Sequence, residues 1–165
     1  MQKITPYLWF DHQAEEAAEF YVDVFNARPG RDAGGSKVLN VSRSGDAGPG
    51  APGSVMIVSF QLDGEEFVAL NGGPQFTFTE AVSFLVNCES QGEVDYLCDT
   101  LTKDGEESAC GWLKDRYGLS WQIIPNRLLE LLGDPDPGRA HRATQAMLQM
   151  SKIDIAELEG AAEAA

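Results

Sequence analysis

The chain has 165 residues, 43% of them hydrophobic, and a formal net charge of −14. This length fits one domain or two small modules that share a core. The negative charge would repel a phosphate backbone, and no run of about 18 apolar residues is present, so we expect neither nucleic-acid binding nor a membrane span. The N-terminus lacks the apolar core of a signal peptide, and the three cysteines show no Cys-x-x-Cys spacing. Together these features predict a cytoplasmic protein with reduced thiols.

The first half of the chain predicts one strand, one helix and then three more strands. The expected strands span residues 3–10, 37–41, 54–62 and 66–70. Apolar residues at helical spacing predict a helix at 13–27, with Asp11 as its N-cap. The last two strands form a hairpin around Asp63-Gly64, and the Gly- and Pro-rich stretch at 45–53 is interpreted as a solvated loop or a lid.

The second half of the chain predicts a strand, a helix and two further strands, followed by a helical tail. The expected strands span residues 81–86, 108–113 and 119–125. The capping box at 90–93 opens a helix that runs to about Leu101. Tail helices are expected at 126–132, 139–150 and 154–164. Their apolar faces require cover, either from the same domain or from a second chain.

The two halves also match residue by residue. At an offset of 75, Trp9 falls on Phe84, and at an offset of 54, Phe67 falls on Trp121. An internal repeat of this kind changes the expected fold, because each copy must then be one supersecondary unit. Each copy is therefore predicted to be a βαβββ module, and the predicted fold class is α+β.

The repeat sets the predicted domain organisation. One domain at 1–132 contains module one at 1–74 and module two at 75–132, and residues 133–165 form a C-terminal helical tail. Four strands with one apolar face can bury that face against the other copy. A concave space between two curved sheets is then a natural ligand site.

Particular motifs resemble a known superfamily. The repeat, the helix end at 18–21 and the segment at 112–122 are similar to vicinal oxygen chelate proteins, the glyoxalase/bleomycin-resistance superfamily. Asn71-Gly72-Gly73-Pro74 and the segment at 110–115 resemble its PhnB-like branch, often labelled "3-demethylubiquinone-9 3-methyltransferase domain", and the tail at 140–158 fits this branch as well. The resemblance covers nearly the whole chain. It implies two βαβββ modules in a half-open barrel and a homodimer.

The resemblance also implies where a metal ion would be held. Enzymes of the superfamily usually bind a divalent metal with four His or Glu ligands, and the corresponding positions here are Pro6, Val68, Ala81 and Gln122. The first three have no side-chain donor, and an amide oxygen alone is a weak ligand. We therefore expect no metal site and no cofactor. Glu80 is a weak candidate for a general base if its surroundings desolvate it, and otherwise a surface carboxylate at a strand end.

Six residues are candidates for binding a small-molecule ligand. They are Trp9, Asn71, Phe78, Trp112, Trp121 and Gln122. Aromatic rings can line a pocket for a planar ligand, and a glutamine amide can orient a polar group. The alternative for the aromatic residues and Gln122 is packing in the core, and for Asn71 a place in a linker between modules.

Methyl transfer, which the label of the PhnB-like branch names, requires a binding site for a methyl donor. A methyl donor that carries adenosine is usually held by a glycine-rich turn between a parallel strand and a helix. The glycines at 45–53 and at 72–73 precede strands instead. The sequence therefore does not support this chemistry.

The predicted function is a metal-free small-molecule-binding protein with its cleft between the modules. One alternative is a lyase, isomerase or dioxygenase with an unorthodox metal site that includes Glu80 and Gln122. A 3-demethylubiquinone-9 3-methyltransferase is the nominal alternative. A fourth is an interaction module whose tail helices make the dimer.

Overall fold

The computed structural model of the protein describes residues 2–30, 34–46 and 50–164. The chain divides into two compact units, Met1–Phe78 and Thr79–Ala165, so the boundary falls slightly later than the one expected after residue 74. The interpretation of residues 45–53 as a loop or lid lies partly outside the described residues. Within the described part of the chain, no helix combines the length and the apolar composition needed to cross a bilayer.

The first unit is a four-stranded sheet with one helix. Its elements are β1 (Tyr7–Phe10), α1 (Ala14–Asn26), β2 (Lys37–Arg43), β3 (Val55–Leu62) and β4 (Glu65–Asn71). The strand order is β1-β4-β3-β2, with β1 parallel to β4 and the other pairs antiparallel. Six of the 13 residues of α1 are buried. Its Tyr21 stacks on Phe60 of β3 at 6.2 Å between ring centroids. All five elements were predicted, although β1 is shorter than expected.

The second unit repeats this topology and adds three helices. Its elements are β5 (Ser83–Cys88), α2 (Gln91–Leu101), β6 (Glu106–Glu107), β7 (Trp112–Lys114), β8 (Ser120–Pro125), α3 (Asn126–Leu132), α4 (Pro137–Met147) and α5 (Ile155–Glu163). The strand order is β5-β8-β7-β6, and β5 is parallel to β8, as β1 is to β4 in the first unit. The predicted α+β fold class, two βαβββ modules with C-terminal helices, is confirmed.

One predicted strand of the second unit is only partly formed, because, of residues 108–113, only Trp112 and Leu113 lie in a strand, β7. The expected strand at 108–113 is interrupted by Cys110 and Gly111, whose φ angles are 58° and 82°. Two successive residues in the left-handed region turn the chain back on itself, so the ladder cannot continue through them. β6 therefore precedes this turn and pairs with β7 after it.

The strand register corrects the predicted repeat offset. Trp9 pairs with Leu70 in the first sheet, whereas Phe84 pairs with Trp121 in the second. At the offset of 54, the equivalent of Trp121 is Phe67 rather than Leu70. Trp9 and Phe84 are thus not equivalent. The predicted alignment of β1 with β5, which rested on matching aromatic residues, is shifted by an odd number of residues from the alignment that the strand pairing gives. An odd shift exchanges the two faces of a strand.

The helical tail belongs to the second unit. A continuous apolar cluster joins the end of β8 to all three tail helices; its buried members are Ile124, Leu128, Leu131, Ala143, Met150, Ile153, Leu158 and Ala162. The backbone N–H groups of Cys110 and Gly111 donate to the carbonyl oxygens of Met150 and Ser151, at 2.8 and 2.7 Å. The apolar faces of these helices are therefore covered by their own chain.

We expect Leu158→Ala to lower the free energy of unfolding by about 3 kcal/mol, because truncating a buried leucine removes its transfer free energy and leaves a cavity. Leu158 is 0% exposed. The measurement is urea unfolding followed by circular dichroism. Leu148→Ala is the matched control, since that side chain is 56% exposed. Equal effects of the two substitutions would contradict the packing of the tail onto this unit.

Candidate functional site

A pocket of the first unit lies where β1 and β4 end and α1 begins. We call it the tryptophan pocket; its volume is about 660 Å³. It is lined by Trp9, His12, Glu15, Ser44, Gly50, Ser54, Val55, Met56, Leu70, Asn71, Gly72 and Gly73. Two of the six predicted ligand-binding residues, Trp9 and Asn71, are therefore brought to one pocket.

The indole of Trp9 is held in a fixed orientation. Its Nε1–H donates to the carbonyl oxygen of Gly73 at 2.8 Å. The edge of Phe76 meets the ring at a centroid distance of 5.0 Å and an interplanar angle of 80°. A Cβ on Gly72 would overlap the ring, so the absence of a side chain there lets the indole lie against the backbone. Trp9 is thus a pre-organised wall of the pocket.

Asn71 joins three elements at the edge of the pocket. Its Oδ1 accepts the N–H of Ala14 at 2.8 Å, and its Nδ2 donates to the carbonyl oxygen of Val55 at 3.1 Å. The start of α1 is therefore satisfied by a residue of β4. The predicted N-cap Asp11 is wrong, because the capping position is Gln13 and no side chain at that position bonds to the helix. Asn71 positions the pocket, and its proposed contact with a ligand stays a prediction.

The polar groups of the tryptophan pocket fall into two kinds. Two side chains of the pocket have partners: Glu15 pairs with Arg43 at 2.9 Å, and Nδ1 of His12 lies 3.2 Å from a carboxylate oxygen of Asp11. Ser44 is only 4% exposed, and its hydroxyl has no hydrogen-bond partner among the described residues. A buried hydroxyl in this state is unusual, since most such groups are bonded.

A second, smaller pocket lies wholly within the second unit. We call it the lysine pocket; its volume is about 70 Å³. It is lined by Glu80, Glu106, Ser108, Trp112, Leu113, Lys114 and Ser120. Lys114 and Ser120 are direct partners across the β7–β8 ladder, and Lys114 is the partner of Glu106 across β6–β7. Of the predicted residues, Trp112 and Glu80 lie here.

Glu80 does not meet the condition set for a general base. Its carboxylate is bonded to the ammonium of Lys114, and its side chain is 60% exposed. The hydrogen bond from Lys114 lowers the pKa of Glu80 below its usual value. A base needs a pKa raised toward neutrality, which this surrounding does not provide. The structure therefore favours the reading of Glu80 as a surface carboxylate at a strand end.

The remaining predicted residues have structural partners. Trp121 is 2% exposed, and its indole N–H donates to Asp115 at 2.9 Å, so it lies in the core. Gln122 donates to Oγ of Ser83 at 2.8 Å. Phe78 packs edge-on against Phe10 in the first unit.

Sequence reasoning missed Asp115, which also accepts the N–H groups of Tyr117 and Leu119 at 2.8 and 3.1 Å. The signal that would have found it is an aspartate three residues before a turn glycine, Gly118.

The positions implied for a metal do not carry donors. The observed register makes Phe84 rather than Ala81 the equivalent of Pro6. The side chains of Pro6, Val68 and Phe84 offer only carbon atoms, and the amide of Gln122 is bonded to a serine. Across residues 2–30, 34–46 and 50–164, no three His, Cys, Asp or Glu side chains lie close enough to hold a metal ion. The donor set thus does not fit a divalent cation.

Among the described residues, the turns from β1 to α1 and from β5 to α2 are not the glycine-rich kind that usually holds a methyl donor. The connection from β1 to α1 reads Asp11-His12-Gln13, and that from β5 to α2 reads Glu89-Ser90. Neither contains a glycine that would let an adenosine group approach the backbone closely. The residues of both turns do not fit such a cofactor.

Comparisons with known proteins agree with this fold. The family model described as "3-demethylubiquinone-9 3-methyltransferase" matches residues 2–124. A solved structure described as a putative 3-demethylubiquinone-9 3-methyltransferase, PhnB protein, from Bacillus cereus is 36% identical, with a TM-score of 0.65, over 75% of this chain and 99% of that one. A protein from Pseudomonas aeruginosa is 18% identical, with a TM-score of 0.60, over 76% and 98% of the two chains. No curated protein matches the chain.

In each of the two sheets, the first and last strands in chain order are parallel, and one helix crosses between them. The chain belongs to the family described as 3-demethylubiquinone-9 3-methyltransferase, as the PhnB-like motifs predicted. The match to the family ends at residue 124, so the three tail helices lie beyond it. The expected resemblance over nearly the whole chain is thus shown for about three quarters of it.

We expect Gly72→Ala to displace the Trp9 indole and to lower the free energy of unfolding by about 1–3 kcal/mol, since the new methyl group would overlap the ring. Tryptophan emission should shift to longer wavelength as the ring loses its bond to Gly73. Gly160→Ala in α5 is the control, because nothing lies within 4 Å of its added carbon. Unchanged emission for Gly72→Ala would contradict the described contact.

We expect iodoacetamide at pH 8 to label Cys110 and to leave Cys98 unmodified in the native protein. Burial raises the pKa of the Cys98 thiol to about 12, so almost no thiolate forms near neutral pH. Cys110 is only partly buried. Mass spectrometry of peptides gives the extent of labelling, and unfolding in urea should make both thiols reactive. Equal native labelling of the two would overturn this expectation.

Proposed function

We propose that the protein binds a planar, largely apolar small molecule in the tryptophan pocket, without the help of a metal ion. The pocket itself carries this proposal. Its volume of about 660 Å³ lies within the roughly 300–1,000 Å³ that is common for sites of small organic ligands. Trp9 supplies an aromatic face, and Val55 and Leu70 supply aliphatic surface.

The polar groups of the pocket favour an uncharged ligand with one hydrogen-bonding group. Glu15 and His12 already face opposite or complementary partners, so the pocket does not demand a ligand charge. The hydroxyl of Ser44 has no partner among the described residues, and a ligand carbonyl or hydroxyl would supply one. Apolar surface would then provide affinity and the serine would orient the ligand.

Family membership supports binding of a small molecule, and the donor chemistry supports binding without a metal. Pro6, Val68 and Phe84 offer no ligand atoms from their side chains. Lyase, isomerase or dioxygenase chemistry would require a bound metal, and the side chains at these positions do not supply its ligands. Methyl transfer likewise finds no strand-to-helix turn that would hold the methyl donor.

The test uses N-phenyl-1-naphthylamine, an uncharged planar probe whose emission rises in apolar surroundings. We expect saturable binding of one probe per chain, quenching of Trp9, and the same affinity with and without EDTA. Val55→Trp should weaken binding at least tenfold, because the larger side chain fills the pocket. Trp112→Phe is the matched control and should leave the affinity unchanged, since this residue lies in the other unit.

Two further results would overturn the proposal. Stoichiometric iron, zinc, nickel or manganese in protein purified without chelator or affinity-tag metal would exclude the metal-free reading. Calorimetric binding of S-adenosylmethionine would favour methyl transfer instead. Equal probe binding by the wild-type protein and Val55→Trp would show that the probe does not occupy the tryptophan pocket.

A further inference from the structure

The lysine pocket holds more negative than positive charge. Its wall presents the carboxylates of Glu80 and Glu106 and the single ammonium of Lys114. The hydrogen bond that Lys114 donates to Glu80, and then the charges of Glu80 and Glu106, raise the pKa of Lys114, so this ammonium stays protonated. One carboxylate charge therefore remains unbalanced. In a chain with a formal net charge of −14, a cation would be drawn to this place.

The hydroxyl of Ser120 is the second feature of this pocket. Ser120 is 1% exposed and is one of the residues that line the pocket, and its Oγ makes no hydrogen bond with any described residue. Leaving a buried hydroxyl without a partner is destabilising, so the position calls for a bonding group from outside the chain. Because Ser120 lies directly across from Lys114 in the sheet, its hydroxyl is beside the charged groups.

The aromatic wall completes the set of groups that recognise a cation. Trp112 lines the same pocket. The face of an indole ring attracts ammonium groups electrostatically. A volume of about 70 Å³ admits only a small head group, so the rest of a ligand would extend toward solvent.

We propose that the lysine pocket binds the ammonium group of a small primary amine, with Ser120 Oγ accepting an N–H and Glu106 balancing the charge. Ser108 adds a second hydroxyl to the wall. Glu80 stays with Lys114 and offsets the repulsion that this ammonium would exert on the ligand. This site is separate from the tryptophan pocket and does not rest on the function proposed for it.

The test is a titration with ethylammonium chloride, followed by ¹H–¹⁵N spectra of the full-length protein at constant ionic strength. We expect saturable shifts of the Trp112 indole N–H and the Ser120 amide. Tetramethylammonium is the matched probe, since it carries the same charge but has no N–H to donate to Ser120. Equal shifts with both ions would show nonspecific attraction to an acidic surface and would overturn the proposal.

Substitutions in the pocket separate the possible ligand chemistries. Ser120→Ala should weaken ethylammonium binding about tenfold while the fold is kept, because alanine removes an unbonded hydroxyl. Lys114→Met should tighten binding, because it removes the repelling charge. Ser54→Ala, in the first unit, is the control. Shifts with sodium acetate that vanish in Lys114→Met would identify an anion site instead and would refute the amine.

The two proposals fail separately. Ethylammonium should leave the resonance of the Trp9 indole unchanged, and N-phenyl-1-naphthylamine should leave that of Trp112 unchanged. Absence of any saturable shift at Trp112 overturns the amine site alone. Absence of probe binding at Trp9 overturns the ligand proposed for the tryptophan pocket alone.

Discussion

Each unit depends on one constraint: the strand that comes first in its chain order pairs in parallel with the strand that comes last. β1 and β4, like β5 and β8, can lie side by side in the same direction only if the chain crosses over between them, and the helix makes that crossing. The helix then covers one face of the sheet. Alternation along the strands sends Leu8 and Phe10 to that face and leaves Trp9 on the other. Placement of every site residue follows from this register.

The side chains that the register places at the expected metal positions do not fit the chemistry that the family name or its wider superfamily suggests. Proline, valine, phenylalanine and glutamine stand where relatives of the wider superfamily are expected to hold a metal. The turns that lead into α1 and α2 have no glycines. Function in this fold resides in the side chains that a given chain places on it, so membership of a methyltransferase family does not by itself provide methyl transfer. The pockets of this chain instead present an indole face in one unit and paired charges in the other.

Two buried serines give these pockets their character. Ser44 and Ser120 lie in different units, yet both have hydroxyls without partners among the described residues and both border a pocket. Satisfied polar groups such as Asn71 and Asp115 stabilise the fold around them. An unsatisfied group reduces stability and is ready to bond a ligand. Asn71 and Trp121 were both predicted to bind ligand, but their polar groups form hydrogen bonds within the chain.

Local pattern and chain order by themselves determined the two βαβββ modules, the tail helices and the Ser90 cap, because hydrophobic periodicity and turn residues are written along the chain. The strand at 108–113 was only partly correct: residues 112–113 belong to β7, but the left-handed turn at Cys110 leaves no local signal in a non-glycine residue. Only the tertiary structure decided that Trp9 borders a pocket while Trp121 lies in the core. Their neighbours come from distant segments: Gly73 holds one indole, and Asp115 in a folded turn holds the other. Burial and hydrogen-bond partners depend on such long-range pairings, which spacing along one sequence does not specify.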